Sequence, residues 1–350
     1  MKRPPGGFIA SVLLTLVAAG CSGKYVRPVS SEKIEATPDR LVRGSYLVNQ
    51  VCACGACHTT REHGHIATEP ERTDAYLGGG NTFVAKGMSD GIWIPNITPD
   101  VETGVGSWSD DELVRVIRDG VARDGHFLVP VMPFDAYQHM SDEDVRSIVV
   151  YLRSVPPYKQ PKPRVENQLG FLPRMLFTKI GVQMHPPAHD VPGAPPLGAP
   201  TGKPDQDEKI QKDYLIGRGK YVTTIAACSV CHSMTKKGPR KMDDPQYMAG
   251  SEGPFEDPAF GKVWARNLTP DKETGLGKYW PDQIKQAIRN GTRLDGKRMA
   301  PPMSIMIPHY SGMAEDDLDG VVAYLKSIPP ARHDVPEREL TPAIKAALGE

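Results

Sequence analysis

Two stretches of the chain carry the same helical rhythm of apolar positions. Val145, Ile148, Val149 and Leu152 fall at i, i+3, i+4 and i+7, and so do Leu318, Val321, Val322 and Leu325. Each run meets a proline pair, Pro156-Pro157 or Pro329-Pro330, which cannot continue a helix. A second helix is expected after Ser109, which can cap it, with Glu112 closing a capping box and Leu113, Val116, Ile117 and Val121 as its buried face. Its counterpart starts at Pro281, a favoured first-turn residue. Helices from about Leu41 and about Leu215 precede these in each half. Strand-like alternation is absent, so the pattern predicts an all-α fold in two tandem units with long loops.

The halves repeat in detail. Asn96-Ile97-Thr98-Pro99-Asp100-Val101-Glu102-Thr103-Gly104-Val105-Gly106 returns as Asn267-Leu268-Thr269-Pro270-Asp271-Lys272-Glu273-Thr274-Gly275-Leu276-Gly277, identical at eight of eleven positions and displaced by 171. Asp124-Gly125 recurs as Asp295-Gly296. Such self-similarity is the mark of a duplicated domain.

Composition narrows the function. Lys plus Arg equals Asp plus Glu at 42 each, so no basic surplus exists to neutralise a phosphate backbone, and nucleic acid is excluded as a principal partner. Aromatic residues make up only 7% of the 350 positions, which suggests that something other than side chains fills part of each core. The N-terminus reads as an export signal: Lys2 and Arg3 precede an apolar run from Phe8 to Ala19 that is too short to span a bilayer permanently. Ala18-Ala19-Gly20 before Cys21 resembles a lipoprotein cleavage site, with Cys21 as the acylated first residue. The expected product is periplasmic and membrane-anchored through lipid.

The cysteines carry the chemistry. Cys54-Gly55-Ala56-Cys57-His58 and Cys228-Ser229-Val230-Cys231-His232 are two copies of C-x-x-C-H, the attachment signature of c-type haem. Two thiols bond to the porphyrin vinyl groups, and the following imidazole binds iron from the proximal side. A thioredoxin-type pair, a four-thiolate zinc site and two local disulfides compete for the same cysteines. Each leaves the adjacent histidines unexplained. A six-coordinate electron-transfer haem needs a further axial ligand, and a neutral thioether favours ferrous iron. Of 13 methionines, Met132 in Pro130-Val131-Met132-Pro133 and Met303 in Pro301-Pro302-Met303-Ser304 keep the 171 offset and follow the Asp-Gly turns. They are the expected iron ligands, with Met306 the main rival in the second half. Asn96 and Asn267 are candidate donors to a haem propionate or, equally, residues that hold a turn. Trp108 and Trp280 are read as packing residues, and Cys52 as a buried thiol.

The pairing of C-x-x-C-H, Asn-Ile-Thr-Pro-Asp with Glu-Thr-Gly-x-Gly, a Pro-x-Met loop and a final Tyr-Leu helix ending in Pro-Pro resembles the multihaem cytochrome c subunits of membrane-associated bacterial dehydrogenases of the alcohol, aldehyde and gluconate type. The resemblance implies two covalently bound haem c groups and no catalytic residues. It implies an electron carrier between a catalytic dehydrogenase subunit and the quinone pool, an oxidase or another cytochrome. Members usually carry three haem domains and a C-terminal membrane helix; this sequence shows two domains and no such helix, and the Cys21 anchor is read as taking its place. The competing class is a dihaem enzyme of the peroxidase or thiosulfate dehydrogenase type, which needs one open iron site. The resulting domain plan is a signal peptide over 1–20, a tether over 21–39, a cytochrome c domain over 40–160, a Pro-rich linker over 161–210, a second cytochrome c domain over 211–335 and a tail over 336–350.

Overall fold

A computed structural model describes residues 29–83, 92–160, 193–194 and 201–350. The signal peptide, Cys21, Met88 (a methionine with no counterpart at the 171 offset) and most of the Pro-rich linker lie outside the described residues.

The first half runs α1 (Pro38–Tyr46), a π turn (Leu47–Val51), α2 (Cys54–His58), a hairpin of β1 (Thr82–Phe83) and β2 (Ile92–Trp93), α3 (Asp110–Asp119), α4 (Phe134–Tyr137) and α5 (Asp142–Ser154). The second repeats the order with α6 (Pro204–Ile225), α7 (Cys228–His232), the hairpin β3 (Met234–Thr235) and β4 (Gly238–Pro239), the strands β5 (Phe255–Asp257) and β6 (Gly261–Val263), α8 (Pro281–Asn290), α9 (Met303–Tyr310) and α10 (Glu315–Ser327). It closes with β7 (Glu339–Leu340) and α11 (Pro342–Leu348).

Local chemistry explains the helix ends. Ser109 Oγ accepts from the Glu112 N–H while Glu112 Oε2 accepts from the Ser109 N–H, so the expected capping box starts α3. Pro281 occupies the first turn of α8. Gly120 and Gly291 end α3 and α8 at φ 65° and 66°, which leaves Val121 beyond the helix it was expected to finish. The closing helices α5 and α10 bury the predicted stripes Val145, Ile148, Val149, Leu152 and Leu318, Val321, Val322, Leu325.

In each half the first long helix crosses the closing helix at a glycine. A Cβ on Gly44 would stand 1.9 Å from the Ser147 carbonyl oxygen, and one on Gly219 would stand 1.8 Å from that of Gly320. No side chain fits at either crossing. The two halves then share one buried cluster: Leu47, Val48 and Met140 of the first belong to the same core as Ile225, Tyr310, Met313 and Leu318 of the second.

Three expectations change. The fold is not purely α-helical, because the hairpins and the three-stranded antiparallel sheet β5-β6-β7 add strands in both halves. Strands of two or three residues present no period-2 face for a sequence to show. Helix α6 starts at Pro204, well before Leu215, inside the span read as linker. The stretch read as a tail is folded: β7 pairs with β6, and Leu340 and Ile344 bury against Phe260 and Ala300.

Candidate functional site

Both C-x-x-C-H segments form short helices, and each follows a residue in the left-handed region, Ala53 at φ 49° and Ala227 at φ 58°. Within one helical turn the two cysteines stand three residues apart on one face, with the histidine next in line. His58 Nδ1 lies 2.8 Å from the Pro95 carbonyl oxygen and His232 Nδ1 lies 2.7 Å from that of Arg266. A carbonyl only accepts, so Nδ1 holds the hydrogen and Nε2 keeps its lone pair. Burial lowers the pKa of both imidazoles, which favours the neutral form that binds a metal. Pro95 and Arg266 themselves stand 171 apart, immediately before the repeated Asn-x-Thr-Pro-Asp segments.

The thiols are not poised for exchange. Burial pushes Cys54 and Cys228 up to about 12, and Cys57 and Cys231 up to about 11. A thioredoxin-type redox pair needs the opposite shift. The described residues also contain no cluster of three or more His, Cys, Asp or Glu side chains able to hold a metal ion.

All six residues open into one continuous cavity of about 1520 Å³, lined mainly by apolar side chains. That exceeds the roughly 300–1,000 Å³ of a single-ligand pocket. Its size, its apolar walls and two imidazoles with free Nε2 atoms fit two flat, apolar, iron-bearing groups attached through the thiols. Met132 and Met303 line it. Met299, Met306 and Met313 line it too.

The structure refines the register behind the methionine choice. Leu128 and Met299 donate their N–H groups to the Gly120 and Gly291 carbonyls and are equivalent at an offset of 171. Further on, Tyr137 and Tyr310 donate to the Cys52 and Ala226 carbonyls and are equivalent at 173. Two residues are therefore inserted in the loop that carries Met303, and Met303 opens α9 whereas Met132 precedes α4. Met140 and Met313 are a matched pair at 173, both buried ahead of the closing helix as core residues.

Asn96 does not hold its amide free for a propionate. Its Nδ2 donates to Thr103 Oγ1 and to the Tyr158 carbonyl, and its Oδ1 accepts from Thr98. Asn267 does the same with Thr274, Ala331 and Thr269. These asparagines fasten the loop to the segment after the closing helix, and the turn reading replaces the propionate one. Trp280 is no packing residue either: it is 76% exposed, and Tyr279 occupies the place corresponding to Trp108. The tryptophans that line both haves of the cavity at a common offset are Trp93 and Trp264, a pair legible at 171 in the sequence and missed there. Cys52 is buried, as expected, and burial raises its thiol well above the ordinary range.

Residues 39–152 match the family described as cytochrome c oxidase, cbb3-type, subunit III, and residues 216–329 match the family described as cytochrome c. The chain carries two cytochrome c domains. Similar proteins include the fructose dehydrogenase cytochrome subunit of Gluconobacter japonicus, 29% identical over 88% of this chain and 57% of its own length. The gluconate 2-dehydrogenase cytochrome c subunit of Pantoea cypripedii is 29% identical over 83% of this chain and 60% of its own. The chain thus spans less than two thirds of these relatives. A diheme cytochrome c-type protein of Cereibacter sphaeroides is 23% identical over 91% of this chain and 97% of its own length. In both cytochrome c domains the C-x-x-C-H helix and the Asn-x-Thr-Pro-Asp loop are joined by the same histidine-to-carbonyl hydrogen bond. Among the described residues no helix is long and apolar enough to cross a membrane.

Proposed function

We propose that the chain is a dihaem c-type cytochrome that accepts electrons from a partner dehydrogenase and passes them towards the respiratory chain, to a quinone, an oxidase or another cytochrome. The observation that carries this reading is the pair of histidines, each fixed through Nδ1 and presenting Nε2 to an apolar cavity that two cysteines also face. Cys54 and Cys57 would hold one haem with His58 as iron ligand, and Cys228 and Cys231 the other with His232. Met132 and Met303 would supply the further iron ligands. Bound haem supplies a one-electron ferric/ferrous couple.

The chain's own contribution is to attach, orient and shield. The Pro95 and Arg266 carbonyls set the plane of each imidazole and raise its basicity. The apolar walls would keep water off bound haem, and Met132 and Met303 as ligands would leave no open position for a substrate. Two of the relatives are cytochrome subunits of fructose and gluconate dehydrogenases, and a catalytic subunit of that kind is the proposed donor. The Cys21 lipid anchor and periplasmic placement belong to the same proposal.

The pyridine haemochrome assay on purified full-length protein is expected to give two haems per chain, with the mass raised by two covalent porphyrins. A count of one would remove one site. In a second test, Met132→Ala and Met303→Ala should each abolish the sulfur-to-iron band at the red edge of the ferric spectrum for one haem. Because Met306 shares the cavity, Met306→Ala is the matched control, and loss of the band there with Met303→Ala unchanged would reassign the second ligand. Peroxide turnover at enzyme-like rates by the isolated protein would favour the enzyme reading instead.

A further inference from the structure

The contact between the two domains has a two-fold pattern that the repeat alone does not require. Helix α9 of the second domain packs on the π turn and on α2 of the first, while α4, its counterpart, packs on α6 of the second. At the start of each closing helix stands a buried aspartate in its third position, Asp144 in α5 and Asp317 in α10. An arginine of the same domain pairs with each: Arg43 grips Asp144 with two bonds of 2.8 Å, and Arg218 Nε reaches Asp317 at 2.6 Å.

The remaining partner comes from the other domain. Tyr221 of α6 donates its hydroxyl proton to Asp144 and accepts from the Ser141 N–H, the cap of α5. Tyr46 of α1 donates to Asp317 and accepts from the Ala314 N–H, the cap of α10. In both domains the hydroxyl stands between the third-position carboxylate and the N–H of the cap residue, the two groups that a capping box joins directly. Each tyrosine thus completes the helix terminus of the opposite domain, with Arg43 and Arg218 holding the aspartates from their own side. His309 adds a strut on one side alone, its Nδ1 on the Asn49 carbonyl and its Nε2 at 3.0 Å from Glu71; the equivalent position in the first domain is Ala136.

Between these locks the two C-x-x-C-H helices converge on one chamber. Tyr137 and Tyr310 are both buried, both line the shared cavity, and donate to the Cys52 and Ala226 carbonyls two residues ahead of each C-x-x-C-H helix. We propose that the reciprocal pair Tyr46–Asp317–Arg218 and Tyr221–Asp144–Arg43 is a positioning device, which holds the two haem sites at one fixed separation so that an electron passes between them inside the chain. The proposal rests on the dihaem reading above. The step balances simply: one iron is oxidised as the other is reduced, and no bond is made or broken. Since electron transfer falls steeply with distance, a docking contact that fixes the gap fixes the rate. The shared apolar cluster holds the domains together without a preferred direction, and the tyrosine-to-aspartate contacts fix their orientation.

The test uses full-length holoprotein whose haem count is already known. Pulsed dipolar spectroscopy of the two ferric irons should give one narrow separation. The double variant Tyr46→Phe and Tyr221→Phe removes two hydroxyls and leaves every helix and ion pair in place. It is expected to keep two haems and the native absorbance while the distance distribution broadens about twofold. Ser109→Ala, which breaks the α3 cap within one domain, serves as the stability control and should leave the distribution unchanged. Two haems with an unaltered distribution in the tyrosine variant, or equal broadening in the Ser109 variant, would overturn the lock. Fewer than two haems in the wild type would defeat the dihaem reading instead, which the count shows beforehand.

Discussion

Replacing Cys228 and Cys231 together by serine is expected to halve the covalent haem of the protein, leaving one porphyrin in the mass and half the haemochrome absorbance. The reason is chemical rather than steric. Serine matches cysteine in shape but forms no thioether, so the second attachment is lost while His232 stays hydrogen-bonded to Arg266. The effect should not stop at colour. Cys228 packs against the common buried cluster, and the cavity wall in the second domain is largely apolar. Without a porphyrin, that wall faces water and the transfer free energy of the buried surface is lost, so the variant should also unfold at lower denaturant concentration. Retention of two covalent haems would show that these cysteines do not attach one.

Gly219→Ala is the strongest purely structural test. The added methyl would lie 1.8 Å from the Gly320 carbonyl oxygen and 2.2 Å from its carbon, both backbone atoms that no rotamer change can move aside. Helices α6 and α10 would have to separate along their whole crossing. The expected cost is about 3 kcal/mol, at the upper end of overpacking penalties. It should appear as a lower denaturation midpoint with little change in slope. Gly44→Ala should behave alike, since the Ser147 oxygen stands at 1.9 Å. Alanine favours a helix over glycine by about 1 kcal/mol, so unchanged or raised stability would mean the crossing is looser than described.

Much of the candidate site was legible in the sequence because its parts are local. C-x-x-C-H needs only five consecutive residues, and the capping box at Ser109 and Glu112 only four. The closing-helix stripes followed from the 3.6-residue period. Less local features were lost. The asparagines were open to two readings until Thr103 and the Tyr158 carbonyl, the latter 62 residues away, were seen to take both amide protons of Asn96. The 171 offset leads from Trp108 to Tyr279 while residue type leads to Trp280, and the packing decides for Tyr279. The inserted pair of residues before α9 shifted the register from 171 to 173, which the matched Tyr151 and Tyr324 already implied.

The amino-acid sequence by itself determined the duplication, the two attachment motifs, the helical stripes and the stops behind them, because each is written in neighbouring residues or in a constant period. Only the tertiary structure decided that His58 and His232 present Nε2, that both C-x-x-C-H helices open into one chamber, and that Tyr46 and Tyr221 bridge the cap and the third-position aspartate of a helix in the opposite domain. These depend on atoms brought together from residues between 34 and 271 positions apart, where chain connectivity imposes no spacing and only packing selects the partner.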